Sequence, residues 1–378
     1  MRIAFFSNFI NHHQVLVADE LYALNQGNYF FVEMEKMPES FVRAGYPDFS
    51  NRPYIIQSWK DNSSNKRALE ICLNADVAVF GGMGEVLEFE KKRLSLNKLS
   101  FEMTERWLKK GWKNMLSPRL LKKFFLYHLA WRNKPLYALC CSGFASSDFR
   151  RLKMFVNRCY KWGYFTKVGN AFNDHEALCH ENRVKLMWCA RFIGWKHPEL
   201  PIKMARILKD KNYNFVIDMF GNGEKMNEMK RLSANLDVED RIHFMGNVPN
   251  SSILDNMKNH QIFLFTSDRN EGWGAVANEA MSCKCTLVAS DEIGSVPYLV
   301  TNGITGSVFK SCDVNALAEQ VIWLIDHPDK RKTITDNAYS LINEMWSPKT
   351  AAKHFMQLVN DILKGADTSL KSGPCSRA

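Results

Sequence analysis

The chain has 378 residues, of which 46% are hydrophobic and 24% are charged. This composition excludes a generally disordered protein, and the length is enough for two or three domains that each bury a core. The formal net charge of +10 raises the question of an anionic partner, either a membrane surface or a nucleic acid.

The cysteine pattern and the hydropathy of the chain indicate its cellular compartment. The ten cysteines are scattered without a CxxC pair, and no Asp-x-Asp motif occurs, so we expect no metal site and mostly buried, reduced thiols. No run reaches the roughly 18 apolar residues that a spanning helix needs. The sequence therefore predicts a cytoplasmic protein that is at most peripheral on the inner face of the plasma membrane.

Short apolar runs alternate with amphipathic stretches from the start of the chain, which predicts parallel strands joined by helices. A first helix is predicted over residues 14–24. The predicted strands of this half are residues 2–6, 29–34, 53–57, 75–82 and 135–141. This alternation indicates a first Rossmann-like domain over residues 1–168.

A basic and aromatic segment lies within that domain. Residues 117–132 begin with Ser117 and Pro118, which form a helix start, and they mix leucines and aromatic residues with lysines and arginines. Such a helix can lie on an anionic membrane, or it can pack on the core with a solvated basic face. Both interpretations stay open at this point. Nucleic acid is not expected as a partner, because no binding motif accompanies the charge.

A second set of strands follows, and it predicts a second Rossmann-like domain over residues 169–345. Its strands are residues 184–190, 214–220, 241–245, 261–267 and 285–290. Ser347 as N-cap and Pro348 then start a final helix within residues 346–364. The remaining residues 365–378 are expected to be disordered.

The most informative segment is a glycine turn between an apolar strand and a helix in this second domain. Gly272 and Gly274 let the backbone turn close to a ligand before a helix begins near Ala275. Free N–H groups at such a helix start favour phosphate oxygens. Glu271 precedes the turn and Glu279 lies one helical turn further on, so they can hold a sugar and a ribose on either side of a diphosphate.

Two cations supply a second anion-binding element. Arg191 and Lys196 lie five residues apart on the loop that follows the strand at residues 184–190. A guanidinium fork and an ammonium charge can bind the same anion from that position. The alternative is that both are ordinary surface basic residues. Because ligands of parallel sheets bind beyond the carboxyl ends of the strands, both loops fall where a ligand is expected.

These residues carry a resemblance to a known family. Glu271, Gly272, Gly274, Glu279 and Ala280 match the signature of the retaining glycosyltransferases of family 4. Further segments that resemble the family follow in the same order at residues 188–200, 218–249 and 293–309. The chain is similar in this respect to bacterial glycosyltransferases of polysaccharide biosynthesis.

The resemblance implies a fold and a set of site residues. The fold is GT-B, in which two Rossmann-like domains of doubly wound parallel sheet face each other across a cleft. The first domain binds the acceptor, the second binds the nucleotide-sugar, and the final helix crosses back to the first. Arg191 and Lys196 are then expected to stabilise the leaving diphosphate and Glu271 to hold the donor sugar, without a metal or cofactor. The implied donor-binding residues are Gly221, Gly246, Asn247, Gly272, Trp273, Gly274, Ala275, Val276 and Glu279.

The first domain offers fewer candidates. His12 and His13, after the first strand, and Glu105, further along the chain, are expected to contact acceptor hydroxyls or phosphate in the cleft. The histidines are equally well explained as residues that simply begin a helix. The family often has a pair of glycines in this loop, and this chain does not.

We therefore expect a retaining, metal-independent hexosyltransferase. It would move a sugar from a nucleotide diphosphate-sugar to a hydroxyl of a glycan or lipid-linked saccharide in cell-surface polysaccharide synthesis. A UDP-sugar is favoured because uridine is common in the family. Two alternatives stay open, namely a nucleotide-sugar epimerase or hydrolase on the same fold, and a non-catalytic basic protein that binds membrane or nucleic acid. An epimerase or hydrolase processes donor without acceptor, and the non-catalytic protein shows no donor-dependent thermal shift.

Overall fold

The computed structural model describes residues 1–43, 46–82, 84–167 and 182–378. The chain divides into two compact units. The first unit contains Met1–Thr166 and Met345–Ala378, and the second contains Lys167–Glu344. Among the described residues, no helix is both long enough and apolar enough to cross a bilayer.

The first unit is built on a parallel sheet of seven strands in the order β3-β2-β1-β4-β5-β6-β7. The strands are β1 Ile3–Ser7, β2 Tyr29–Glu33, β3 Ile55–Gln57, β4 Val77–Gly81, β5 Ser100–Thr104, β6 Leu136–Cys140 and β7 Cys159–Lys161. The helices between them are α1 His12–Leu24, α2 Glu39–Arg43, α3 Asn62–Asn74, α4 Glu85–Ser95, α5 Pro118–Leu126 and α6 Ala145–Arg151. The central strands were predictable from their apolar runs, because β4 is buried along its whole length and β1 at four of its five positions.

Strand β5 was absent from the sequence prediction although it lies in the middle of the sheet. Its sequence, SFEMT, places the polar residues Ser100 and Glu102 in the buried interior. Glu102 is paired there with the buried Lys123 of α5 at 2.9 Å. A short strand with two polar residues does not give the apolar run on which the prediction relied.

The second unit is built on a parallel sheet of six strands in the order β10-β9-β8-β11-β12-β13. The strands are β8 Val184–Cys189, β9 Phe215–Phe220, β10 Ile242–Gly246, β11 Ile262–Phe265, β12 Thr286–Ser290 and β13 Ser307–Phe309. The helices are α7 Glu199–Asp210, α8 Met226–Asn235, α9 Asn250–Lys258, α10 Val276–Ser282, α11 Val296–Leu299, α12 Val314–Asp326 and α13 Pro328–Ser340. One continuous apolar core packs β8 and β9 against α7 and α12.

The last helix, α14 (Pro348–Leu363), belongs to the first unit. Ser347 caps it by accepting a hydrogen bond from the backbone N–H of Thr350 at 3.2 Å, as the sequence predicts for a Ser-Pro start. Phe355, in the middle of α14, is fully buried and packs edge-on against Phe5 of β1, with ring centroids 5.4 Å apart. This contact holds the helix on the sheet of the first unit.

The expectation of a disordered tail over residues 365–378 is wrong. The tail pairs with the edge strand β7: the N–H of Lys161 donates to the carbonyl of Ser376 at 2.8 Å, and Cys375 is fully buried. The guanidinium of Arg377 forms an ion pair with Asp367 at 2.6 Å. The physical reason is that β7 ends the sheet and offers unpaired backbone groups, which the tail satisfies.

Candidate functional site

The loops after β8, β9 and β10 are joined by backbone hydrogen bonds at the carboxyl edge of the second sheet. The N–H of Ala190 donates to the carbonyl of Phe220 at 3.1 Å, and the N–H of Gly221 donates to the carbonyl of Gly246 at 2.8 Å. Gly221 has a φ of +121°, and a Cβ there would lie 2.0 Å from the carbonyl oxygen of Ala190. Only glycine therefore lets these loops meet.

The turn before α10 has the form that the sequence predicts. Gly274 has a φ of +83°, and a Cβ on it would lie 2.3 Å from Cζ of Phe265. Helix α10 begins at Val276, with Ala275 in the N-cap position and no capping hydrogen bond from its side chain. The N-terminal N–H groups of this short helix are therefore not satisfied by a capping side chain.

The structure brings Arg191, Lys196 and Glu271 together. The ammonium of Lys196 forms an ion pair with the carboxylate of Glu271, and both side chains are largely buried, at 13% and 11% exposed. The same ammonium lies 4.3 Å from the centre of the Trp195 ring, and the guanidinium of Arg191 lies 6.0 Å from it. Arg191 itself is exposed. Two cations thus lie near one indole ring.

Glu279 is buried on α10, only 9% exposed. Burial, and then the negative charge of Glu279, raises the pKa of the Cys189 thiol at the end of β8 to about 12. Glu279 therefore acts within electrostatic reach of the same strand end from which the loop of Arg191 and Lys196 starts. The sequence predicts that Glu279 lies on nearly the same face of the helix as Ala275.

The other predicted donor residues differ in exposure. Trp273 is buried, and its indole N–H donates to the side-chain oxygen of Asn278 at 2.9 Å. Asn247 is exposed, and Gly246 has a φ of +69° with open space around the position of a Cβ. Trp273 thus stabilises the turn through packing and a hydrogen bond, whereas Gly246 and Asn247 present an open surface.

The sequence did not reveal three residues that connect the loop after β8 to the loop after β11. The hydroxyl of Thr266 donates to the carbonyl of Lys196 at 2.7 Å, and the N–H of Asp268 donates to the carbonyl of Trp195 at 3.0 Å. The ring of His197 contacts the carboxylate of Asp268 at 3.4 Å. In the sequence, these residues are marked only by their position in the loops that follow β8 and β11. Their contacts join residues about 70 positions apart, and a single sequence gives no information about such contacts.

In the first unit, His12 and His13 begin α1. Asn11 caps the helix by accepting a hydrogen bond from the N–H of His13 at 2.9 Å. The ring of His13 stacks on Tyr164, with centroids 5.7 Å apart. Burial, and then the charge of His12, lowers the pKa of His13 to about 3, and burial also lowers the pKa of His12. Both imidazoles are therefore neutral at physiological pH.

Glu105 lies at the carboxyl end of β5 and lines two adjoining cavities of about 470 Å³ and 380 Å³. Its carboxylate accepts a hydrogen bond from the hydroxyl of Tyr164 at 2.8 Å and forms an ion pair with Lys109 at 2.6 Å. Gly82, which follows β4, lines both cavities as well. The carboxyl ends of the strands of this sheet thus line a groove to which Glu105 contributes a carboxylate.

Helix α5 presents a surface that is both apolar and basic. Lys123 does not belong to it, because this side chain is buried between Glu102 at 2.9 Å and Glu90 at 3.9 Å. The exposed apolar residues on α5 and beside it are Trp112, Leu116, Leu121, Phe125 and Leu129. The exposed basic residues around them are Lys110, Lys113, Arg119, Lys122 and Arg132. These ten residues are called the α5 surface below.

Comparison with known proteins gives a family match for the second unit. Residues 172–341 match the family model described as glycosyl transferases group 1. An uncharacterized glycosyltransferase of Methanocaldococcus jannaschii, MJ1069, is 26% identical over 179 residues, which are 47% of this chain and 45% of that protein. The capsular polysaccharide biosynthesis glycosyltransferase CapM of Staphylococcus aureus is 25% identical over 262 residues, 67% of this chain and 62% of CapM. The aligned segments thus cover less than two thirds of each relative.

Solved structures match over nearly the whole chain. The crystal structure of Anabaena HepE in complex with UDP superimposes with a TM-score of 0.72 and 15% identity, covering 95% of this chain and 100% of HepE. Identity at this level establishes the fold alone. With a seven-stranded and a six-stranded parallel unit, the architecture is the GT-B fold, and the fold prediction is confirmed.

Proposed function

We propose that this chain, whose residues 172–341 match the glycosyl transferases group 1 family model, transfers a sugar from a nucleotide diphosphate-sugar to a hydroxyl of a glycan or lipid-linked saccharide in cell-surface polysaccharide synthesis. A UDP-sugar is the favoured donor, since related folds have been solved with UDP and with UDP-glucose. CapM, a relative named for capsular polysaccharide biosynthesis, supports the same process.

The observation that carries this proposal is the cluster of two cations beside a glycine turn. Arg191 and Lys196 lie near the Trp195 ring, and Lys196 forms an ion pair with the carboxylate of Glu271. Glu271 directly precedes the glycine turn. In the free protein the buried Lys196 and Glu271 neutralise each other. When a diphosphate binds, the ammonium of Lys196 turns to it and Glu271 is released to accept hydrogen bonds from sugar hydroxyls.

The proposed chemistry is a same-face substitution with retention at the anomeric carbon. The bond from that carbon to the diphosphate oxygen breaks as the acceptor oxygen forms the new bond, and the acceptor proton passes to the departing diphosphate. Arg191, Lys196 and the N–H groups of Gly274 to Val276 would stabilise the charge that develops there, so the step needs neither a metal nor a strong protein base. Glu279 would hold the ribose.

The test compares two variants. Glu279→Ala is expected to raise the dissociation constant for UDP-glucose with little change in turnover, because Glu279 binds a part of the donor that does not react. Lys196→Ala is expected to lower turnover by about 10- to 100-fold, since a charge-assisted hydrogen bond contributes about 1.5–3 kcal/mol and strengthens as the diphosphate departs. Unchanged kinetics in both variants would remove the assignment. Rapid consumption of donor without acceptor would instead favour an epimerase or hydrolase.

The proposed second partner is an anionic membrane surface, contacted through the α5 surface. Leu129 is 83% exposed and Leu116 is 81% exposed, which leaves large apolar side chains in water beside exposed cations. Their combination fits an interface between anionic headgroups and acyl chains. A lipid-linked acceptor at the groove around Glu105 would then be reached from the membrane, and the protein would be cytoplasmic and peripheral on the inner face.

A further inference from the structure

His197, the residue after Lys196, has a backbone conformation that disfavours side chains. Its φ is 50° and its ψ is 55°, in the left-handed region. A residue with a Cβ persists there only when its surroundings fix it, and such residues concentrate at functional sites. Glycine would adopt the same conformation without strain. The contacts of the His197 side chain are therefore of interest.

The imidazole of His197 is held between two carboxylates from different loops. Its Nδ1 lies 2.8 Å from the carboxylate of Glu199, at the start of α7, and its Nε2 lies 3.4 Å from the carboxylate of Asp268, after β11. The thiol of Cys312, after β13, lies 3.5 Å from the same Nε2. His197, Glu199, Asp268 and Cys312 are called the His197 clamp below.

The clamp reaches both halves of the proposed donor site. The second carboxylate oxygen of Asp268 accepts a hydrogen bond from the N–H of Asn270 at 2.8 Å, and the Asp268 carbonyl accepts one from the N–H of Glu271 at 3.0 Å. Asp268 thus shapes the turn that orients Glu271. On the other side, His197 follows Lys196 directly, and the hydroxyl of Thr266 donates to the Lys196 carbonyl at 2.7 Å.

We infer that His197 is a positioning residue that, as an imidazolium, ties the Lys196 loop to the Glu271 loop, so that donor binding weakens as rising pH removes its proton. This inference rests on the proposed function, because it concerns the geometry of the same donor site. It adds a pH-dependent device to that site, built from a residue that does not itself touch the donor.

The protonation state follows from the partners. Nδ1 faces a carboxylate oxygen at 2.8 Å, and Nε2 faces both a carboxylate oxygen at 3.4 Å and the Cys312 thiol, so only the doubly protonated ring can donate to both carboxylates. The hydrogen bond to Glu199, and then the charges of Glu199 and Asp268, raises the pKa of His197 above its ordinary value of 6.5, while burial opposes the shift. At Glu199, burial acts to raise the pKa of the carboxyl. The pKa is nevertheless lowered by His197 and, more weakly, by Lys225.

The raised pKa of His197 determines the direction in which donor affinity changes with pH. A raised histidine pKa means that the imidazolium is fully present below pH 6.5 and is lost as pH rises through the higher value of the folded protein. Above that value the ring can donate to only one of the two carboxylates, and Glu199 and Asp268 repel each other across it. The Lys196 and Glu271 loops then lose a fixed connection.

The test is calorimetric titration with UDP-glucose, whose esterified diphosphate does not itself titrate near neutrality, between about pH 6 and pH 8.5. The dissociation constant of the wild type is expected to rise about tenfold over this range. The variant His197→Asn is expected to bind weakly throughout, with a dissociation constant independent of pH. The matched control is His243→Asn, which removes another histidine paired with an aspartate, Asp218, at 2.8 Å, and it should follow the wild type.

A second variant separates positioning from folding. His197→Gly relieves the backbone strain, so at alkaline pH, where the wild type has also lost the imidazolium, its melting temperature should equal or exceed that of the wild type. At about pH 6 its affinity for UDP-glucose should be about tenfold lower than that of the wild type. A pH-independent dissociation constant in the wild type, or the same pH dependence in His197→Asn, would overturn the inference and leave the proposed function standing. A wild type that binds no UDP-glucose at any pH would overturn both.

Discussion

Glu90, on α4, lies in an environment that is unfavourable to its charge. Its side chain is completely buried, and neither carboxylate oxygen has a hydrogen-bond partner among the described residues. Burial raises the pKa of Glu90 to about 8, although the charge of Lys123 opposes the shift. At neutral pH Glu90 is therefore mainly a neutral acid, and Lys123 is balanced by Glu102 alone.

The stability of the protein should consequently fall in alkaline solution. The pKa of this carboxyl is raised above its usual 4.5 in the folded protein. Ionisation of Glu90 therefore lowers the free energy of unfolding, and this loss grows as pH rises from 4.5 towards the pKa of the folded protein. Between about pH 6 and pH 9 we expect the wild type to lose up to about 3 kcal/mol through this group, and Glu90→Gln to lose none of it. Thermal unfolding followed at both pH values measures the difference.

The control for this experiment is Glu88→Gln on the same helix. Glu88 is largely exposed and pairs with Lys91 at 2.8 Å, and that hydrogen bond lowers its pKa. Its removal should leave the alkaline loss of stability intact. Equal pH dependence in the wild type and Glu90→Gln would show that Glu90 is already ionised at neutral pH.

The sequence predicted single candidate residues but not the contacts that connect them. Arg191, Lys196 and Glu271 were each assigned from their own loops, because residue type and position after a strand carry that information. The ion pair between Lys196 and Glu271 was not, since it joins residues 75 positions apart. For the same reason nothing in the sequence set His197 apart from any other loop histidine.

At the scale of elements, α5 combines a buried cation with an exposed apolar face. Lys123 points inward to Glu102 and Glu90, which fixes the rotation of the helix about its axis. This rotation leaves Leu121 and Phe125 exposed, at 40% and 51%. The sequence predicted the helix start at Pro118. It did not show which face of the helix is buried, because basic and apolar residues alternate around the helix.

We expect the α5 surface to bind vesicles that contain anionic lipid. In Leu121→Ser/Phe125→Ser, the partition coefficient should fall by about 100-fold, since each large apolar side chain contributes about 1.5–3 kcal/mol on burial. Binding of UDP-glucose should not change. Sedimentation with vesicles of anionic and of neutral lipid measures the effect, and added salt should weaken only the anionic case.

Two equally exposed apolar residues outside this surface provide the matched control. Ile304 and Leu363 are 53% and 55% exposed, so Ile304→Ser/Leu363→Ser removes comparable apolar area. This variant should sediment with vesicles as the wild type does. Equal loss in both double variants would mean that general hydrophobicity, and not the α5 surface, drives binding.

At the scale of the whole molecule, the chain leaves the first unit at Thr166 and returns to it at Met345. Each unit has its own parallel sheet, so the alternation of strands and helices in the sequence was sufficient to predict the fold class. It was not sufficient for the tail, whose position at the chain terminus suggested disorder. Pairing of the tail with β7 depends on where the sheet ends, which no local pattern encodes. The assignment of acceptor and donor roles to the two units stays a prediction.

The central claim is that Arg191 and Lys196 bind the diphosphate of a nucleotide-sugar beside the Gly274 turn. A crystal structure of the protein with UDP-glucose tests this most directly. We expect diphosphate oxygens within about 3 Å of the Lys196 ammonium, the Arg191 guanidinium and the N–H groups that open α10, with Glu271 released from Lys196 and turned to the glucose hydroxyls. A diphosphate bound elsewhere, with the Lys196 to Glu271 ion pair intact, would contradict the account.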